Sequence, residues 1–221
     1  MLYLIPILVA YLLGGIPFGL LIPRLYGVHD IRRHGSGNIG ATNATRVLGF
    51  RKAIWVFLGD IAKGAAAVLI ARWFAAWFAV PFDTIDPYLL ICALAAVLGH
   101  LFPIYLAFKG GKGVNTALGA MLALLPLEAA LALIIFGLVL AASRIVSLSS
   151  LSAAVAFLTI VLVEYFAMNR EMPAIYVYVV AALVVLLFVA HRSNIARLVS
   201  GTENRFDRKR PRDKQEVEPH A

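Results

Sequence analysis

Four segments of this 221-residue chain hold residue types that could do chemistry. The first runs Gly35-Ser36-Gly37-Asn38-Ile39-Gly40-Ala41-Thr42-Asn43 and reaches Arg46. Glycines at this density let the backbone take φ > 0 and turn several N–H groups toward one anion. Ser36 and Thr42 add hydroxyl donors. Arg46, one helical turn past Thr42, adds a planar fork that fits a phosphate bidentately. The string contains a formal G-x-G-x-x-G, but the dinucleotide reading requires a preceding strand and a βαβ unit, and neither is present in the sequence. The second segment leads from Gly99-His100 to Lys109-Gly110-Gly111-Lys112-Gly113. Two lysines flank two glycines ahead of a helix start, so free N–H groups and charge converge on an anion. It is not a Walker loop, because Gly113 stands where Ser or Thr should follow Lys112. A glycine-rich linker and a basic turn are the plain alternatives for these two segments.

The third segment, Ser143 to Ser150, has the hydroxyls of helix caps and by itself reads as structural, with Ser147 as its candidate phosphate ligand. In the fourth, His191, Asn194 and Arg197 follow at i, i+3 and i+6. If the last helix continues, they share one side of it. The remaining polar residues have blander readings. His100, inside an apolar run, reads as a packed or hydrogen-bonded histidine rather than a base. Asp60 and Lys63, at i and i+3, read as a scaffold pair within a span. Glu128 and Glu164 are expected near the outer boundary. Cys92 is the one cysteine, so a disulfide framework and a cysteine metal site within one chain are excluded. Its apolar surroundings mark it as a small hydrophobe rather than an acyl-carrying thiol. No metal-binding cluster is evident.

The elements that must position these residues follow from composition. Apolar residues make up 62% and charged residues 14% of the chain, against about 45–50% and about 25% in soluble domains. The chain therefore reads as an all-α integral membrane protein. Its apolar runs are too long and too unalternating for a β-barrel. Spans are expected at 2–22, 53–80, 88–107, 148–166 and 174–190. The first has no basic n-region and is too long for a typical signal peptide. The stretch 114–142 is about 43 Å long as one helix, against about 30 Å of hydrocarbon. Pro126 divides it into short helices at 114–125 and 127–142.

Charge decides between six and seven passes. With seven, segments 23–52, 108–113, 143–147 and 191–221 share one side and carry six, two, one and eight Lys/Arg, seventeen of the twenty. The positive-inside rule makes that side cytoplasmic, so seven transmembrane helices are expected, with the N-terminus outside and the C-terminus in the cytoplasm. Residues 1–203 form the membrane-embedded unit. Residues 204–221 form a basic cytoplasmic tail expected to be disordered. The net charge of +8 then reports topology and contact with anionic lipid. Nucleic-acid binding is excluded, since no aromatic interleaving or nucleic-acid fold accompanies the charge.

Taken together, Gly35 through Asn43 with Arg46, Gly99-His100 through Gly113-Val114, and His191-Arg192 with Asn194, Arg197-Leu198 and Gly201-Thr202-Glu203 resemble one family. It is that of the bacterial acyl-phosphate-dependent glycerol-3-phosphate acyltransferases, the PlsY type. The resemblance covers about 15–203. It departs at Asn115, where a small residue such as Ala is expected. It implies a bacterial inner-membrane enzyme, first in phospholipid synthesis, with its site facing the cytoplasm. An acyl group would pass from acyl phosphate to the sn-1 hydroxyl of glycerol 3-phosphate, giving lysophosphatidic acid and phosphate. The catalytic candidates are His191, Asn194, Ser36 and Arg46. The phosphate-binding candidates are Gly35, Ser36, Gly37, Asn38, Gly40, Thr42, Asn43, Arg46, Lys109, Gly110, Gly111, Lys112, Ser147, His191, Asn194 and Arg197. No cofactor and no metal are expected. Membrane lipids and a soluble enzyme that makes acyl phosphate are the implied partners. No histidine is followed by Asp five residues on, which excludes the His-x4-Asp mechanism of other acyltransferases. Transfer is expected to be direct, without an acyl-enzyme, because an acyl phosphate is already activated. The rival reading is a transporter of a phosphorylated solute. Transporters place polar sites near the midplane between related halves, whereas here they gather at one face and no repeat is found.

Overall fold

The structure, a computed structural model, describes residues 4–78, 80 and 82–206, and for 82–84 the backbone alone. All but the first three residues of the expected tail lie outside it. Among the described residues there are ten α-helices and no strand: α1 Leu4–Gly15, α2 Phe18–Arg24, α3 Ala41–Leu48, α4 Phe50–Trp77, α5 Phe82–Leu101, α6 Val114–Leu124, α7 Pro126–Ser143, α8 Val146–Phe166, α9 Ile175–Ala190 and α10 Arg192–Val199. α4, α5, α7 and α8 are each long and apolar enough to cross a membrane. Counting the bent pairs α1–α2 (42°) and α9–α10 (63°) as single spans raises the number to six. The seventh expected pass is α6, whose 11 residues reach only about 16 Å.

The helix breaks have local causes. Pro126 disfavours helical geometry at the residue before it, and Leu125 is found at φ −133° and ψ 69°. The 114–143 stretch is therefore two helices, with Pro126 in the first turn of α7, where its missing N–H is not needed. Glu128, also in that turn, is buried and pairs with Arg170, which also bonds Glu164 at 2.6 Å. The expected span 2–22 breaks at Ile16-Pro17, between α1 and α2. The Ile16 carbonyl freed by that break accepts a hydrogen bond of 2.8 Å from Lys63 Nζ on α4, so the loose backbone is satisfied by a neighbouring helix.

α4 is the hub. Its buried face runs Ala53, Val56, Asp60, Lys63, Gly64, Ala67, Val68, Ala71 and Ala75, a helical stripe of mostly small residues that lets other helices approach closely. A Cβ on Gly64 would strike the Thr116 carbonyl of α6, and one on Gly119 of α6 would strike the Ile61 carbonyl of α4. The same reciprocal contact holds α1 to α5 at Gly14 and Gly99. Val97, Met121, Phe157 and Leu183 fill the core among α5, α6, α8 and α9. Large apolar residues such as Trp73, Leu138 and Val185 point outward and are more than half exposed, as lipid-facing side chains are.

One positional expectation is corrected. The last helix does not run on through His191, Asn194 and Arg197. The chain bends by 63° at His191, whose φ and ψ of −97° and 8° leave the helical region. Asn194 and Arg197 share α10, while His191 stands at the bend before it, so the three do not line one straight helix.

Candidate active site

The glycine segment folds as a loop ahead of α3. Gly35 and Gly37 adopt φ of +61° and +72°, as glycine alone does at ease. Gly40 does not: at φ −77° it is the N-cap of α3. The side chain of Asn43 organises the loop from inside. Its Oδ1 accepts from Ser36 N at 2.8 Å, and its Nδ2 donates to the carbonyls of Ile31, His34 and Asn38. Asn38 Oδ1 accepts from Gly40 N. Both asparagines therefore spend their side chains on loop shape. What the loop offers outward is the Ser36 hydroxyl, the first N–H groups of α3, Thr42 and Arg46.

The lysine segment is a second loop, folded back on the end of α5. Gly110 N and Gly111 N donate to the carbonyls of Leu101 and His100, each at 3.1 Å. Gly113, at φ +78°, turns the chain into α6. Lys112 reaches inward, and its Nζ donates to Asn194 Oδ1 at 2.5 Å. Lys109 is exposed and makes no hydrogen bond or ion pair to that cluster among the described residues.

The two cationic loops meet α8 and α10 around a carboxylate. Glu203 Oε1 accepts from Ser147 Oγ at 3.0 Å and from Asn194 Nδ2 at 2.7 Å. Its Oε2 accepts from Arg197 Nε at 2.7 Å, and the Glu203 side chain is 5% exposed. Burial works against this carboxylate, but the hydrogen bonds from Asn194, Arg197 and Ser147 hold its pKa below the usual range. Burial pushes the Lys112 ammonium down to about 8; the Glu203 charge resists that, and those of Arg197 and Arg46 add to it. Arg46, Lys112 and Arg197 thus lie within one another's electrostatic reach around a single carboxylate. Beyond Glu203, the chain is tied to the start of α8 by a bond from Phe206 N to the Arg144 carbonyl.

His191 completes the cluster. It is 2% exposed, and its Nδ1 lies 2.7 Å from the Leu187 carbonyl oxygen. A carbonyl only accepts, so Nδ1 carries the hydrogen and the neutral ring keeps Nε2 as a lone-pair acceptor. Cys92 is buried on α5 in the packing against α1, away from all of this.

An apolar groove opens beside the cluster between α6, α7, α8 and α9. Its lining includes Asn115, Ser150 and Leu187 at one end and Met121, Phe157 and Val180 farther along. Asn115 comes three residues after Lys112, Ser150 one turn after Ser147, and Leu187 one turn before His191, so the groove begins where the polar cluster ends.

Of the sequence candidates, Lys112, Ser147, Asn194 and Arg197 converge, with His191 and Arg46 in electrostatic reach of the same groups. Lys109 does not join them, and Asn38 and Asn43 act within their loop. Glu203 is the residue that the candidate set omitted. Its signal was a carboxylate six residues after Arg197, just past a helix-ending glycine, and the first acidic residue of the basic segment 191–221.

Comparison with known proteins matches this arrangement to one group. The family profile described as "Glycerol-3-phosphate acyltransferase" matches residues 4–201. A Geobacter sulfurreducens protein named glycerol-3-phosphate acyltransferase is 46% identical over 198 residues, covering 90% of this chain and 94% of that one. The fold is similar to the crystal structure of PlsY (YgiH), an integral membrane glycerol 3-phosphate acyltransferase, in its glycerol 3-phosphate form. The TM-score is 0.80 at 38% identity, over 93% of this chain and 96% of that one. The lysophosphatidic acid form of that protein gives a TM-score of 0.79 at 36% identity. With its helical membrane fold and the loops of all three motif segments matched over nearly its whole length, this chain belongs to the glycerol-3-phosphate acyltransferase family.

Proposed function

We propose that this protein transfers a fatty acyl group from acyl phosphate to the sn-1 hydroxyl of glycerol 3-phosphate. The products are lysophosphatidic acid and inorganic phosphate. The observation that carries this reading is a cluster of Arg46, Lys112 and Arg197, with His191, Asn194 and Ser147, at the mouth of an apolar groove. Cations and free helix N–H groups suit the phosphates of both substrates. The groove suits the acyl tail.

The chemistry asks for positioning and charge neutralisation. The sn-1 oxygen attacks the acyl carbonyl carbon, the new C–O ester bond forms, and the bond from that carbon to the phosphate oxygen breaks. The electron pair leaves with phosphate, whose growing charge the cations offset. The hydroxyl proton goes to His191 Nε2 or to a substrate phosphate oxygen. Ser36, Thr42 and Arg46 hold phosphate from the glycine loop, and Lys112, Ser147, Asn194 and Arg197 hold it from the opposite side. Acyl phosphate is a mixed anhydride, so no acyl-enzyme is needed, and orientation supplies much of the barrier lowering. Purified protein should make lysophosphatidic acid from acyl phosphate in a chelating buffer. Equal rates with acyl-CoA or acyl carrier protein as donor, or loss of activity with chelator, would overturn this assignment.

The reading includes seven passes in a bacterial inner membrane, with α6 as a short crossing, the N-terminus outside and the site cytoplasmic. In a Cys92-free background, cysteines placed at Ser36 and Asn204 should react with an impermeant thiol reagent only from the cytoplasmic side. One placed at Glu171, exposed in the loop before α9, should react from outside. External labelling at position 204 would restore six passes.

Lys112 sets a basic limit. Its ammonium is held down to about 8, so raising the pH through that value removes its charge in the free enzyme. The value of kcat/KM for glycerol 3-phosphate should fall above about pH 8, since that ratio follows the free enzyme's groups. Lys112→Arg, which stays charged, should move the fall to higher pH. An unchanged alkaline limb in Lys112→Arg would remove Lys112 from phosphate binding.

A further inference from the structure

Beneath the two phosphate loops lies a buried polar network that the reaction does not use. Asp60 and Lys63 on α4 form an ion pair of 2.7 Å with both side chains 3% exposed. A charged pair this deep among apolar helices is expensive unless it serves a purpose. Its contacts lead in two directions.

Toward the lysine loop, Asp60 Oδ1 lies 3.6 Å from His100 Nδ1, which is also 3.2 Å from Thr116 Oγ1 on α6. The opposite edge of the same ring, Nε2, lies against Gly111, where any Cβ would collide with it. The His100 backbone carbonyl accepts from Gly111 N. The ring is thus the floor on which Gly110-Gly111-Lys112 rests. Toward the glycine loop, Lys63 Nζ bonds the Ile16 carbonyl and lies 5.8 Å from the centroid of the Phe18 ring. That ring sits on Gly59 of α4. One residue on, Gly19 touches the Ile39 carbonyl so closely that a Cβ would overlap it, and Ile39 is part of the glycine loop.

We propose that the Asp60–Lys63 pair, with His100, is a positioning unit that fixes the spacing between the two anion-binding loops. His100 is the positioning residue for Gly111 and Lys112, and Lys63 for the break that aims α2 at the glycine loop. The proposal rests on the reading that both loops hold substrate phosphate. Two loops on separate helices can grip two phosphates in line only if their separation is set from below, and a displacement of about 1 Å can lower rates about 100-fold.

The test compares His100→Leu, which removes both ring nitrogens, with His100→Asn, whose amide can still reach Thr116 and Asp60. Steady-state kinetics and thermal unfolding would be measured in detergent. His100→Leu should raise KM for glycerol 3-phosphate roughly 10- to 100-fold at a melting temperature near wild type, and His100→Asn should recover most of that loss. The double variant Asp60→Asn, Lys63→Met, which removes both charges without stranding one, should show the same KM defect. It keeps the test open if His100→Leu fails to fold. A drop in melting temperature with unchanged KM and kcat per folded molecule would overturn the proposal and leave the network a plain scaffold. Absence of acylation by the wild type would instead overturn the functional reading. In that case inorganic phosphate decides the positioning claim: it should raise the melting temperature of wild type and not of His100→Leu, and equal shifts would overturn it.

Discussion

Replacing His191 by glutamine should lower kcat for acyl transfer roughly 100- to 10,000-fold, the usual contribution of a positioned general base, with KM for glycerol 3-phosphate changed only a few-fold. Glutamine fills much of the ring's volume and can still donate to the Leu187 carbonyl, but it has no basic lone pair to replace Nε2. The expectation follows from the tautomer: Nδ1 is committed to Leu187 O at 2.7 Å, which leaves Nε2 as the ring's lone-pair acceptor. Steady-state kinetics in both substrates, with glycerol 3-phosphate binding measured separately, separates the two candidate proton acceptors. Loss of kcat with binding retained makes His191 the acceptor. Loss of binding alone makes His191 a phosphate ligand and leaves a substrate phosphate oxygen as the base.

Glu203→Gln should lower kcat/KM by roughly 30- to 150-fold, about 2–3 kcal/mol, at or below the lower end of the about 3–5 kcal/mol that removing one partner of a buried ion pair costs. The lower end applies because Arg197 is 38% exposed and partly screened, although the Glu203 side chain is 5% exposed. The carboxylate acts through others. It orients Ser147 and Asn194 with one oxygen and Arg197 with the other. An amide nitrogen placed toward Arg197 would face a donor with a donor. Removing the charge also leaves Arg46, Lys112 and Arg197 without their shared counter-ion. The melting temperature of Glu203→Gln should therefore fall, and added inorganic phosphate should restore part of it, since an anion bound to the folded state stabilises that state. A Glu203→Gln enzyme with wild-type kinetics would mean that the three donors hold their places unaided.

Much of the architecture was legible because a membrane leaves few options. Backbone polar groups must be satisfied within the lipid, so long apolar runs have to be helices. Most span starts and stops were close, since they are set by hydrophobic length and by polar loops; the expected span 88–107 was not, because α5 runs Phe82–Leu101 and stops ahead of Pro103. The division at Pro126 was legible because proline acts locally: a missing N–H and a clash with the preceding residue end a helix whatever surrounds it. The bend at His191 had no such signal. Neither glycine nor proline marks it, and it follows from α10 folding across the end of α9 so that Asn194 and Arg197 meet Glu203. Gly40 misled for a related reason. A glycine reads as left-handed backbone by type, whereas the N-cap of α3 needs extended geometry there.

For the site, sequence by itself determined which residue types stand close together: glycine-rich turns beside Lys and Arg, His and Asn beside Arg at a helix end, and apolar walls nearby. It determined this because these properties belong to single residues and short spacings. Tertiary structure decided which candidates work together. Lys112 enters the cluster and Lys109 stays outside it, though the two are three residues apart, because the backbone bonds of Gly110 and Gly111 to the end of α5 turn only one of them inward. Glu203 gained its place the same way. Its partners stand 56, 9 and 6 residues away, and a carboxylate in a basic segment becomes the centre of a site only when the fold closes donors from α8 and α10 around it.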